Sequence, residues 1–326
     1  MKTAQWQAQA PSNIAFIKYM GKAKGEKNLP INSSLSYSLP YLFTRVTLEC
    51  IDGTEDRWEP LADSDLLPMT LSETGRKKFF NHLAFLKESW GLQNQSFFVR
   101  SGNNFPSDCG IASSASSFAA LTLATEMARL ALVPGAAAQS ASDLARLSRQ
   151  GSGSSSRSLF REWALWRGET AEDLELPYKN LLHLALIIDS TKKSVTTSQA
   201  HELVASSSLF VGRPTRAEER LENLLKAFRS EDWRKAFVIT WAEFWDMHLL
   251  FLTADMPFNF LKAASMEWLN EVLWEWQNKN DGPIATVDAG ANVHLFFRPD
   301  QKSACLNWQQ RLRERQVAFL SNCGAV

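Results

Sequence analysis

A lysine, an arginine and an aspartate, each set beside glycine or small hydroxylated residues, are the groups in this 326-residue chain best suited to chemistry. The most informative stretch carries none of the three. It is Asn103-Asn104-Phe105-Pro106-Ser107-Asp108-Cys109-Gly110-Ile111-Ala112-Ser113-Ser114-Ala115-Ser116-Ser117, a small-residue loop that runs into the start of a long helix. The first turn of a helix has four N–H groups without helical partners, and the macrodipole adds partial positive charge there. Gly110 permits close backbone approach and the tiny side chains leave those amides uncovered, which makes a candidate seat for phosphate. Its serine hydroxyls could also join a magnesium shell. A plain Ser/Gly/Pro turn followed by an N-cap fits the local pattern equally well. No Gly-Lys-Ser/Thr closes the loop, so it is not a Walker loop.

Three further segments carry the charged groups. In Ala10-Pro11-Ser12-Asn13-Ile14-Ala15-Phe16-Ile17-Lys18-Tyr19-Met20-Gly21-Lys22, Lys18 ends a strand that is apolar on both faces. A lysine is costly there unless it meets an anion at the strand's exit or snorkels to the surface. Gly151-Ser152-Gly153-Ser154-Ser155-Ser156-Arg157-Ser158 offers flexible backbone, hydroxyls and one fixed guanidinium, a fit to carboxylate or phosphate. As a bare pattern it also reads as a solvated loop. In Thr286-Val287-Asp288-Ala289-Gly290-Ala291-Asn292 an aspartate leaves a buried strand into a glycine turn, where it either faces a ligand or caps the turn.

The elements that must position these groups follow from periodicity. Strands are expected over 13–19, 43–51, 96–100, 182–188, 284–288, 293–297 and 316–320. Helices are expected over 73–90, from the phosphate-loop candidate to about 132, from a Ser142 or Asp143 cap to about 151, and over 214–228, 231–252, 260–277 and 302–314. The class is α+β in two lobes, 1–180 and 181–326, with the boundary near 168–182. The 12 tryptophans fall mostly at helical spacing in the second half and read as core rather than as a ligand cage.

Composition narrows the function classes. Thirty-five basic and 35 acidic residues give a net charge of zero, which argues against non-specific attraction to nucleic acid or membrane. Any anionic ligand must then be held by locally placed cations. The four cysteines, Cys50, Cys109, Cys305 and Cys323, fit no zinc or C-x-x-C spacing, and a reduced cytoplasmic setting suits them better than a disulfide framework. The five histidines form no ligand motif, so no dedicated metal site is expected. The start of the chain lacks the apolar core of a signal peptide, and no apolar run is long enough to span a bilayer.

In order along the chain, Lys-Tyr-x-Gly-Lys, Leu-Pro-x-Asn-Ser-Ser, Asn-Asn-Phe-Pro, Gly-x-Ala-Ser-Ser-Ala, Gly-Ser-Gly-Ser-x-x-Arg-Ser and Asp-Ala-Gly-x-Asn resemble the diphosphomevalonate decarboxylase family of the GHMP kinase superfamily, from Pro11 to about Phe297. The resemblance implies a two-lobed GHMP-kinase fold with a ribosomal-protein-S5-like N-terminal lobe and a ferredoxin-like α/β C-terminal lobe, the active site lying between them. It implies ATP- and Mg2+-dependent decarboxylation of mevalonate 5-diphosphate to isopentenyl diphosphate by a homodimer.

Carried over by position, Asp288 would orient or deprotonate the 3-hydroxyl with Lys18 beside it, and Arg157 would grip the carboxylate with Ser154. Tyr19, Lys22, Ser152 and Ser154 would hold the diphosphate, with Thr197 as a further substrate contact. Pro106, Gly110, Ala112, Ser113, Ser114 and Ser116 would seat ATP, and Mg2+ would be held by phosphate oxygens with Ser114 as a candidate extra ligand. The sequence departs from the family where Ser198 stands in place of an arginine found in some bacterial relatives; Lys192 or Lys193 could supply that charge or be solvated. Met20, Ala291 and Ser155-Ser156 are also departures, and none removes an ionisable catalytic group. His201 reads as a satisfied structural residue. Alternatives are a decarboxylase acting on mevalonate 5-phosphate, a GHMP kinase without decarboxylation, and a non-catalytic ATP-binding regulator; the carboxylate grip argues against the kinase.

Overall fold

The first strand, β1 (Gln5–Ile17), changes character halfway. Its outer half, Gln5 to Ala10, alternates polar and apolar, which suits a strand with one wet face. Its inner half is buried on both faces, and Pro11 sits where the register against the next strand shifts. That neighbour, β2 (Ser34–Ile51), is the long spine of the N-terminal lobe and runs antiparallel to β1 from Gln5↔Glu49 to Ile17↔Leu35. The computed structural model describes residues 4–23, 25, 27–67, 71–106, 111, 113–191 and 193–324.

Around β2 lie β3 (Arg57–Pro60), β4 (Ser96–Asn103), β5 (Trp163–Arg167) and β6 (Thr170–Asp173), in the order β3-β4-β2-β5-β6 with β1 paired to β2. Helices α1 (Glu73–Trp90), α2 (Ser113–Leu132) and α3 (Ala141–Arg149) cover this sheet. α1 starts at a Ser72 cap that accepts from Gly75 N, and it stops at Gly91 in the left-handed region. The α3 cap is Ser140 rather than Ser142 or Asp143; its hydroxyl accepts from Asp143 N. The pair β5 and β6 is absent from the sequence expectation. Trp163 and Trp166 are both fully buried, so the segment shows no alternation, and its strands are too short to establish a period.

The C-terminal lobe is a four-stranded antiparallel sheet, order β10-β7-β9-β8, built from β7 (Leu182–Ile187), β8 (Ile284–Val287), β9 (Val293–Phe297) and β10 (Ala318–Ser321). Its helices are α4 (Thr197–Leu203), α5 (Arg213–Arg229), α6 (Trp233–Leu252), α7 (Ala263–Lys279) and α8 (Lys302–Glu314). α7 begins three residues after the expected 260, because Phe260 and Leu261 leave the helix to enter the core. Among the described residues no helix is long and apolar enough to cross a membrane.

The lobes share one core. Phe16 of β1 is fully buried, with ring centroids 4.9 Å from Trp163, 6.0 Å from Phe228 of α5 and 4.7 Å from Phe296 of β9. Tryptophans serve mainly as packing, with Trp163, Trp166 and Trp308 among the largest fully buried side chains. Because Phe16 lies two residues before Lys18, the joint that fuses the lobes also anchors the strand end that carries the lysine. Phe16→Ala should lower unfolding free energy by about 3–5 kcal/mol in a denaturant melt. A loss under about 1 kcal/mol would mean that the lobes do not depend on this joint.

Candidate active site

β1 ends at Ile17, so Lys18 is the first residue free of the sheet ladder, and its side chain turns into the seam between lobes. Lys18 is 1% exposed, and its ammonium donates to Asp288 Oδ1 at 2.5 Å and to the Ala15 carbonyl at 2.7 Å. Asp288 follows β8 directly, and its carbonyl accepts from Gly290 N and from His248 Nε2. The Asp288 side chain keeps 27% exposure against 2% for Lys18. The ammonium is enclosed and the carboxylate faces open space. Burial would raise the Asp288 carboxyl, but the charges of Lys18, His294 and Arg157 and the bond from Lys18 outweigh it and hold the group below the usual carboxylate range.

Arg157 stands on a short 3-10 turn, Gly153–Leu159. The expectation of a flexible loop here is corrected. Ser155 and Ser156 are fully buried and bond the turn's own backbone, Ser155 Oγ to the Ser152 carbonyl and Ser156 Oγ to the Gly153 carbonyl. Gly153 packs so closely on Tyr19 that a Cβ there would sit 2.6 Å from the ring. Arg157 is 3% exposed; its Nε donates to Asn13 Oδ1 at 3.3 Å and its Nη1 to Ser34 Oγ at 2.5 Å. Asn13 is itself fixed by bonds to Ser158 Oγ and the Ser154 carbonyl. Burial lowers the guanidinium to about 10, against the opposing pull of Asp288, so it stays charged at neutral pH. Among the described residues two of its five N–H groups bond other side chains, and the others can serve a ligand.

These groups line one cleft of about 220 Å3. Lys18, Tyr19, Lys22, Ser114, Ser152, Ser154, Arg157, Thr197 and Asp288 all face it. The hydroxyls of Ser114, Ser152 and Ser154 form a chain, with Ser152 Oγ 3.4 Å from Ser114 and 3.3 Å from Ser154. Ser116 does not join them. It is fully buried, and its hydroxyl meets Thr44 Oγ1 at 2.7 Å and the Ser113 carbonyl at 3.1 Å, because the two residues of helix after Ser114 turn it from the cleft toward the sheet. Ser113 is half-buried and Pro106 exposed, and neither lines the cleft. Gly110, Ala112 and Lys192 lie outside the described residues.

Sequence reasoning missed Lys78. It comes from α1, lines the cleft and donates to Ser198 Oγ at 3.2 Å across the seam between lobes. Lys22 is lowered by burial, offset by Glu202, and lowered again by the nearby charges of Lys78 and Lys27. Gathering like charges is unfavourable without an anion to join them. Lys193 also lines the cleft and bonds the Ala289 carbonyl. Nothing in the sequence separates Lys78 from the solvated lysines of an amphipathic helix.

Two histidines, His201 and His248, bond backbone groups beside the cleft. His201 Nδ1 accepts from Gly21 N at 3.0 Å, its ring lies 4.4 Å from Tyr19, and burial followed by the charge of Lys22 lowers it to about 3. Burial and the charge of Lys18 lower His248 to about 3 as well. Both rings are neutral at working pH.

The two-lobed α+β architecture, with a lysine–aspartate pair, a buried arginine and a serine-lined helix start in the inter-lobe cleft, is that of the GHMP-kinase fold. The Diphosphomevalonate decarboxylase-like N-terminal domain model matches residues 10–173, and the Mevalonate 5-diphosphate decarboxylase C-terminal domain model matches 183–318. The chain belongs to the diphosphomevalonate decarboxylase family. It is similar to the diphosphomevalonate decarboxylase of Schizosaccharomyces pombe, with 31% identity over 94% of this chain and 82% of that one. The crystal structure of a mevalonate diphosphate decarboxylase from Legionella pneumophila superposes with a TM-score of 0.91 at 43% identity, covering 97% of this chain and all of that one. A structure of MDDEF in complex with MVAPP, AMPPCP and magnesium superposes with a TM-score of 0.84 at 28% identity, covering 97% and 95%.

His201→Gln should leave the shape of the activity profile between about pH 5 and 8 unchanged, since the imidazole carries no proton to lose there. A limb near the ordinary histidine value that vanishes in this variant would contradict a structural His201.

Proposed function

We propose that this chain catalyses ATP- and Mg2+-dependent decarboxylation of mevalonate 5-diphosphate, giving isopentenyl diphosphate, ADP, phosphate and CO2. The observation that carries this reading is the meeting of Lys18–Asp288, Arg157 and the serine chain in one cleft of a chain matched along both lobes by the family. The reaction needs a tertiary hydroxyl held in line with the ATP γ-phosphoryl group, a grip on a carboxylate that can later release CO2, and cations for a diphosphate. Each need has a candidate group.

Asp288 faces the cleft as an anion and accepts the hydrogen bond of the 3-hydroxyl. A tertiary alcohol is too weak an acid to be ionised in advance, so the proton passes to Asp288 late, as the oxygen bonds to phosphorus. Lys18 keeps Asp288 ionised and offsets charge developing on the transferred group. Arg157 uses its uncommitted N–H groups on the substrate carboxylate, with Ser154 beside it. When phosphate leaves C3, the carboxylate's C–C electrons form the new double bond and CO2 departs. A carboxylate held by hydrogen bonds alone is free to go.

The diphosphate is assigned to Tyr19, Lys22, Ser152, Ser154 and Thr197, with Lys78 supplying charge where Ser198 replaces an arginine. That replacement cation favours the diphosphate over the monophosphate as substrate. Pro106, Gly110, Ala112, Ser113 and Ser114 are assigned to ATP, and Ser116 is left out because its hydroxyl is turned inward. Mg2+ suits the cleft as a hard cation taking oxygen ligands, with Ser114 the member of the serine chain that stands on the helix start. When bound it would neutralise phosphate charge. We place the lobe boundary at 180/181 and the working form as a cytoplasmic homodimer; the free thiols Cys305 and Cys323 suit a reducing compartment, and exposed Val238 and Trp274 leave apolar surface for a second copy.

Purified protein with ATP and Mg2+ should release labelled CO2 from mevalonate 5-diphosphate and do so far less well from the monophosphate. Release from neither compound would end this reading. Asp288→Asn should reduce turnover by on the order of 10³-fold or more while ATP still binds; a near-normal rate would remove Asp288 from the reacting hydroxyl.

A further inference from the structure

Lys18 and Asp288 come from different lobes, so something must hold their separation. Beyond the end of β1 the peptide groups of Lys18 have lost their sheet partners and, being buried, must find others. They find a charged pair from the C-terminal lobe. Lys18 N donates to Glu243 Oε1 at 2.9 Å, and Lys18 O accepts from Arg213 Nη2 at 3.2 Å and from Asn32 Nδ2 at 3.0 Å. Glu243 and Arg213 are fully buried and bond each other through both ends of the guanidinium. Five residues further along α6, His248 Nε2 meets the Asp288 carbonyl at 3.2 Å. One helix thus touches the backbone on both sides of the ion pair.

We infer that α6 gauges the catalytic pair: Glu243, braced by Arg213, holds the Lys18 peptide while His248 holds the Asp288 carbonyl, so that all three are positioning residues for phosphoryl transfer. This rests on the proposed decarboxylase activity. A merely structural role for the cluster is the competing account, since Asp246, Arg216 and Arg220 extend it outward over α5 and α6. Geometry separates the two. Among the described residues Asp246 bonds the arginines Arg213, Arg216 and Arg220, whereas Glu243 also bonds the catalytic lysine's own amide.

The groups facing Lys18 are Asp288 beyond β8, Arg157 on the 3-10 turn, Glu243 and His248 on α6 and Arg213 on α5. Burial lowers the Lys18 ammonium; Asp288 and then Glu243 oppose that, while Arg157 adds to it. Removing the Glu243 charge therefore lets the Lys18 proton leave at lower pH. That shift follows from the lost charge whatever the bond does for the fold, so a loss of kcat at unchanged KM is what separates positioning from a merely structural bond.

The test compares CO2 release by the intact protein, Glu243→Gln, Asp246→Asn and His248→Phe, each with its melting curve. Glu243→Gln should lose on the order of 10²-fold in kcat, as for a displacement of about 1 Å. Its KM for both substrates should stay within about twofold, and the alkaline limb of kcat should move to lower pH. Asp246→Asn should lower the melting temperature yet keep kcat and the limb. If Glu243→Gln does not fold, His248→Phe carries the test, since it removes the donor to Asp288 in an apolar setting; roughly tenfold lower kcat with unchanged KM supports the inference. Equal kcat for folded Glu243→Gln and Asp246→Asn, or wild-type kcat in His248→Phe, would overturn it. Absence of CO2 release from the unaltered protein would instead overturn the activity itself.

Discussion

The ion pair between Lys18 and Asp288 is the constraint on which the rest of the site depends. A buried pair is weak evidence for stability, because desolvating two charges costs as much as their attraction returns. Its value here is the asymmetry of exposure. The lysine is sealed behind the seam, and the aspartate remains partly open toward the cleft. The protein has taken the less useful side of the pair out of water and presented the other to a ligand. An arginine would fit this role less well, since its planar fork is wider than a single carbonyl and carboxylate oxygen require.

Everything nearby supports that arrangement. β1 delivers Lys18 from a core that both lobes share, through Phe16. The turn after β8 presents Asp288, whose carbonyl is held from two sides. The serine-rich turn divides its hydroxyls by position: Ser155, Ser156 and Ser158 face inward and stiffen the turn, while Ser152 and Ser154 face the cleft. Arg157 gains its orientation from Asn13 and Ser34 of the same lobe, so its direction is set before any ligand arrives. The lysines at the far end, Lys22 and Lys78, repel one another, and the charge of Lys78 adds to the burial that lowers Lys22.

The residues proposed to do the chemistry were legible because each sits in a short stretch with an unusual composition. Lys18 ends an apolar strand, Asp288 precedes a glycine turn, and Arg157 follows a run of serines. What positions them was not legible. Arg213 and Lys78 lie on helices where a charge every few residues is the ordinary solvated face, and only tertiary packing turns them inward or across the seam; Glu243 sits in a mostly apolar stretch of α6, and only packing shows which groups it meets. The serine turn was misread as flexible for a related reason: hydroxyls that bond their own backbone look in sequence like hydroxyls that bond water. Ser116 looks in sequence like a phosphate ligand because a helix start shows its residue types but not which way they point. The short strands β5 and β6 lacked any period to detect.

The most direct measurement is a double-mutant cycle on Lys18→Met and Asp288→Asn, read as single-turnover CO2 release at saturating ATP. If ammonium and carboxylate work as one unit, removing the second after the first changes the rate little, and the two losses are strongly non-additive. Losses that simply multiply would mean that the two groups act independently, and the ion pair would not be the centre of the site.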